Sequence, residues 1–134
     1  MVMTRGVYVL VISVGKNISI QIGALGVRNL KKGLYAYVGS AQGNLERRIR
    51  RHVGRVKRKF WHIDYLLASG AVQVTDVFTK ERGREEECMI AKELCARAVP
   101  IEGFGSSDCK CTSHLFKLGN LTFLEECMQR TRTQ

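Results

Sequence analysis

Residues 34–59 read LYAYVGSAQGNLERRIRRHVGRVKRK, and the change of period inside this stretch decides the fold. From Leu34 to Gly39 the side chains alternate, with Tyr35 and Tyr37 on one face and Ala36 and Val38 on the other, as in a strand. From Asn44 the period turns helical. Asn44 is a suitable N-cap, and Leu45, Ile49, Val53 and Val56 recur at helical spacing to about residue 58. Upstream, GVYVLVISV (6–14) is a nearly unbroken apolar and β-branched run, which predicts a strand covered on both faces. Gly15-Lys16-Asn17 is turn chemistry, and Ile18–Ile22 alternates strictly, so a hairpin of 6–14 with 18–22 is expected. Downstream, the pattern predicts a second helix over 60–68, a strand over 72–78 and a third helix over 84–98, stopped by Pro100. A short apolar element at 115–118 and a last helix from about Asn120 complete the chain. The expected fold is one α/β (α+β) domain over residues 1–134, a small, mostly antiparallel mixed sheet flanked by helices.

Composition narrows the class of partner. The chain has 134 residues, 45% of them hydrophobic, which suits one globular domain and excludes intrinsic disorder. Lys and Arg number 22 against 12 Asp and Glu, a net charge of +10 with a pI near 9.8, which favours a polyanion. No apolar run approaches the ~20 residues needed to span a bilayer. The opening MVMTRGVYVLVISVGKN lacks a small-residue cleavage site and reads as a first strand, not a signal peptide, so a cytoplasmic address is expected. Five cysteines, an odd number, argue against a disulfide framework.

The basic charge is concentrated in residues 45–59, where Glu46 is the only acid. Such a run is either a solvated face or a phosphate-contact surface. At about 100° per residue, the apolar Leu45, Ile49, Val53 and Val56 occupy roughly 0–80° of the wheel, with Arg48 near 300° and His52 near 340°, at the edge of that stripe. Arg47, Arg50 and Arg51 point outward. With Arg55 and Lys57 they are the candidate nucleic-acid contacts, and Arg55 also competes with Arg48 for a place beside the core. Because the apolar stripe is needed for the core, no face remains to lie on a membrane.

On the third helix, Cys88, Ala91, Leu94, Cys95 and Ala98 define an apolar face, and Glu87 falls inside it while Glu85, Glu86 and Glu93 do not. A carboxylate on a buried face must be paired, hydrogen-bonded or holding a metal. An ion pair with the basic helix and a hard-cation ligand in a cleft both satisfy that requirement.

Gly6-Val7-Tyr8, then Tyr37-Val38-Gly39-Ser40-Ala41, Leu45-Glu46-Arg47-Arg48, His52 and a glutamate on a later helix together resemble the GIY-YIG nuclease superfamily. The resemblance implies a single-metal phosphodiesterase site of Tyr8, Tyr37, Arg48 and Glu87, with His52 as an accessory residue and Glu87 holding Mg²⁺ or Mn²⁺. It implies an endonuclease acting on DNA, with a role in repair, or a DNA- or RNA-binding module that keeps the fold without cleavage. The two tyrosines lie further apart here than in most of that superfamily, so the Ile18–Ile22 segment is expected to be an inserted strand. Nearly the whole chain is similar to a GIY-YIG-like family with this insertion, whose members occur alone or fused to endonuclease III-type DNA glycosylases. That likeness runs through KFWHIDYL (59–66), Glu87-Cys88 and GFGSSDC (103–109), and implies a functional link to a glycosylase.

A second cluster, Asp108-Cys109-Lys110-Cys111-Thr112-Ser113-His114, has soft ligands at close spacing. Cys109, Cys111 and His114 with His62 or another cysteine could complete a tetrahedral Zn²⁺ site. A hydrogen-bonded loop with reduced thiols, and an extension of the active site by His62, Asp64, Cys109 or His114, are the other two readings.

Overall fold

The computed structural model describes residues 6–41, 45–53, 62–80, 85–101, 104 and 113–131. At its centre is β1 (Gly6–Val14), buried along nearly its whole length. It pairs antiparallel with β4 (Gly33–Ala41) on one side and β5 (Val72–Lys80) on the other. The sheet extends through β7 (Leu115–Leu118) to β6 (Val99–Pro100) at one edge and to β8 (Gln129–Thr131) at the other, in the order β6-β7-β4-β1-β5-β8. Every described pairing is antiparallel, so the expected mixed sheet is antiparallel throughout the described residues.

Alternation along β1 feeds two cores. Tyr8, Leu10, Ile12 and Val14 face a cluster completed by Ile63 and Leu66 of α2 (His62–Leu67), by Ile22 and Leu30, and by Phe104. Ile49 of α1 (Leu45–Val53) packs on its margin. Val7, Val9 and Val11 face the opposite cluster, with Ile90, Ala91 and Leu94 of α3 (Glu85–Arg97) and Leu124 of α4 (Thr122–Cys127). A run interrupted only by Ser13 suits a strand between two helical layers, because each face removes apolar side chains from water. The same alternation puts Tyr35 and Tyr37 in the first core and Ala36 and Val38 in the second, in agreement with the sequence pattern.

Three expectations are corrected. Ile18–Ile22 forms β2, but its partner is β3 (Gly26–Leu30), not β1. Both edges of β1 are taken by longer strands, so the insertion makes its own two-stranded sheet, closed by a 3-10 turn at Gly23–Leu25. Its inward Ile18, Ile20, Ile22 and Leu30 pack on the first core. On α3, Cys95 is exposed, and Ile90 takes the place expected for it on the buried face beside Ala91 and Leu94. Arg51 does not point freely outward, because it is paired with the buried Asp64 of α2. Among the described residues no helix is long and apolar enough to cross a membrane.

Candidate active site

The residues singled out from sequence converge at one end of the β1–β4 ladder. Tyr8 stands opposite Gly39 in the register, and Tyr37 two positions earlier on β4 projects to the same face. Their rings lie 6.5 Å apart at 47°, and Phe104 meets Tyr37 edge-on at 6.1 Å. Gly39 is what allows this arrangement. A Cβ there would overlap the Cζ and hydroxyl of Tyr8, whose ring is walled in by the core and has nowhere to swing.

Arg48 enters from α1, half-buried at the edge of the apolar stripe where the helical wheel puts it. Its guanidinium donates to the carbonyl of Ser40 at 2.9 Å and hydrogen-bonds the Tyr8 side chain. Glu87 approaches from the other layer, in the first turn of α3, on the face that Ile90, Ala91 and Leu94 bury. It is 15% exposed. One carboxylate oxygen accepts from Ser40 Oγ at 2.5 Å and the other meets His114 Nδ1 at 2.9 Å. Ser40 reaches Glu87 because it follows Gly39 and therefore points to the opposite face of the sheet from Tyr37.

His114 is held by its backbone as well as its ring. Its N–H donates to the Phe104 carbonyl and its carbonyl accepts from Val38 N–H, both at 2.8 Å. Ser113 Oγ accepts from Leu115 N–H at 2.9 Å and closes the turn that leads into β7. The histidine read as a zinc candidate is thus an extension of the Glu87 cluster. Cys109 and Cys111 lie outside the described residues, as do Asn44, Arg55 and Lys57. His52 lies in α1 and His62 opens α2, and their side chains are outside the described set.

Arg51 and Asp64 form a further pair beside the tyrosines. The guanidinium donates to both carboxylate oxygens, at 2.8 and 3.0 Å. Asp64 has 0% exposure and Arg51 25%. A bidentate bond of this kind satisfies both oxygens of a carboxylate taken out of water. Arg47 and Arg50 are exposed on the outer face of α1.

Burial raises the pKa of both site tyrosines above the usual tyrosine value. For Tyr8 the neighbouring Arg48 opposes that rise through its charge and hydrogen bond, while Glu87 and Asp64 add to it. For Tyr37 the nearby Tyr8, Glu87 and Asp64 add to burial, and Arg48 again opposes. Both hydroxyls keep their protons at neutral pH. Neither is a phenolate nucleophile there, so each acts as a hydrogen-bonding hydroxyl.

Among the described residues no three His, Cys, Asp or Glu side chains gather as a chelating set. Glu87 still suits a hard cation. A carboxylate oxygen carries two lone pairs, so accepting one hydrogen bond does not by itself bar a cation, and Mg²⁺ commonly takes one or two carboxylates and fills its remaining positions with water.

A family model described as Domain of unknown function DUF123 matches residues 7–134. The chain belongs to this family. The match begins one residue before Tyr8, at the second residue of β1, and runs past β8, so every side chain of the cluster lies within the DUF123 region. Comparisons with curated proteins and with solved structures found no match.

Proposed function

We propose that this DUF123 chain is a metal-dependent DNA endonuclease of the GIY-YIG type, working in the cytoplasm in a repair-related role. The observation that supports this best is the convergence of Tyr8, Tyr37, Arg48 and Glu87, from two strands and two helices, on one end of the β1–β4 ladder.

The reaction is hydrolysis. A water oxygen bonds to phosphorus, the bond to the 3′ oxygen breaks, and that oxygen leaves with a proton. Glu87 would hold a divalent cation, which would supply positive charge against the phosphate and the departing oxygen. Arg48 faces the growing negative charge on the phosphoryl oxygens from a half-buried position, where a fixed guanidinium acts more strongly than in open water. The protonated Tyr8 and Tyr37 hydroxyls orient the phosphate and the attacking water, a role that needs no phenolate. Ser40 and His114 hold the Glu87 carboxylate in one orientation.

A second reading is a nucleic-acid-binding module without cleavage. It is favoured by the protein partners, Ser40 and His114 among them, that the Glu87 carboxylate already has.

The test is incubation with labelled duplexes, flaps, junctions and single strands of DNA, and RNA controls, in Mg²⁺, Mn²⁺ or EDTA. Metal-dependent cleavage is expected from the wild type and not from Glu87→Gln, with both proteins retaining the same DNA affinity. Undiminished cleavage by Glu87→Gln removes the site assignment, and binding without cleavage in any metal leaves the module.

A further inference from the structure

The first 45 residues contain no Asp or Glu at all, yet they carry Lys16, Arg28, Lys31 and Lys32 within the described part. The fold gathers the three lysines. Lys16 lies in the turn leaving β1, and Lys31 and Lys32 lie in the turn entering β4. The backbone N–H of Lys32 donates to Asn17 Oδ1 at 2.8 Å, which staples the two turns together. Lys117 joins them from β7. Its Nζ lies 3.2 Å from where a Cβ on Gly33 would stand, so its side chain runs across the start of β4.

Lys16, Lys31 and Lys32 are exposed, and none of the four has an ion pair among the described residues. Glu93, in the C-terminal half of α3, is paired with Arg97 at 3.6 Å. Among the described residues the lysines therefore form a cationic pole with no paired acid, at the far end of the strands from Tyr8 and Tyr37. The Tyr8–Gly39 rung and the Val14–Gly33 rung are six residues apart on β1. At a rise of ~3.3 Å per residue that is about 20 Å.

We infer that this lysine pole is a second phosphate-contact surface, which grips duplex DNA at a point away from the tyrosine site. The inference rests on the reading that the chain acts on DNA and adds to it a surface distinct from the basic helix. At ~3.4 Å per base step, about 20 Å corresponds to about six base pairs between the two points of grip. A phosphate backbone fits better than a small anion, because the four lysines are spread over two turns and a neighbouring strand. A row of point charges neutralises a row of phosphates without reading sequence.

The test is a salt titration of binding to a labelled duplex of about two helical turns. It compares wild type, Glu87→Gln, and the combined Lys16→Ala, Lys31→Ala, Lys32→Ala protein, with thermal melts as a folding control. The triple variant is expected to melt like wild type, to bind more weakly, and to show a log–log salt slope flatter by roughly 0.9 for each phosphate it no longer neutralises. Glu87→Gln is expected to keep the wild-type slope. An unchanged slope in the triple variant overturns the inference. So does lysine-dependent binding to phosphatidylglycerol vesicles in place of DNA, which would assign the pole to a membrane surface. A flattened slope in a protein that never cleaves sustains the pole and removes only the catalytic reading, whereas wild type that binds no DNA removes both.

Discussion

Gly39 and the tyrosine opposite it illustrate how closely the site is built. The smallest possible change, Gly39→Ala, sets a methyl group into the space of the Tyr8 ring, and that ring is packed against the first core. Overpacking of this kind costs about 1–3 kcal/mol. A urea melt of the variant should show that cost, and cleavage should fall further than the lowered stability alone explains, because Tyr8 must move. The tyrosines also set an alkaline limit. Burial lifts their folded pKa values above the ordinary tyrosine value of about 10, so the folded chain keeps protons that the unfolded chain releases. Stability from this source is complete below about pH 10 and drains as pH rises from there towards the folded values. Each tyrosine contributes a slope of at most about 1.4 kcal/mol per pH unit. Urea unfolding between neutral pH and about pH 11 should show the decline, and Tyr37→Phe should make it shallower. Tyr8, Tyr37 and the margin position of Arg48 are legible from alternation, helical angle and motif. Ser40 and His114 are not legible as partners of Glu87, because they come from remote segments and their meeting depends on how β4, β7 and α3 stack.

At the scale of elements, the basic helix has two kinds of arginine. Arg47 and Arg50 lie on its outer face, while Arg51 ties α1 to α2 through the fully buried Asp64. Removing one partner of a buried pair strands the other charge, at a cost of about 3 kcal/mol. Arg51→Ala should therefore lower the unfolding midpoint clearly. Arg47→Ala with Arg50→Ala should lower the midpoint less, because both side chains are exposed, while weakening DNA binding. A double-mutant cycle with Asp64→Leu checks the first effect, since removing both charges should recover much of the stability. The helical wheel does not separate Arg51 from its neighbours, because a wheel gives direction and not the identity of what stands in that direction. The same limit explains α3: Glu87 lies on the face where the wheel puts it, but the buried arc is centred nearer Ile90 than Cys95.

Across the whole molecule, one apolar strand separates two cores, with the Tyr8–Tyr37 pair near one end and the lysines at the other. Composition, the order of the longer strands and the helices, the two-sided burial of β1, the shared face of Tyr35 and Tyr37, and the place of Glu87 on the core-facing side of α3 were all determined by sequence. Each follows from local periodicity and the cost of exposing apolar or burying charged groups. Strand pairing was not, and the partner of Ile18–Ile22 differs from the expected one for that reason. An alternating segment states which face it buries but not which edge it joins, and the choice fell to β3 once β4 and β5 had occupied both edges of β1. The short β3, β6 and β8 likewise take strand form only through their neighbours' ladders. Tertiary structure alone decided that Ser40, His114 and Glu87 share one cluster, that Arg51 belongs to Asp64, and that three lysines from two turns stand together. These pairings join residues far apart in the chain, and no local pattern records a distance that exists only after the sheet has closed.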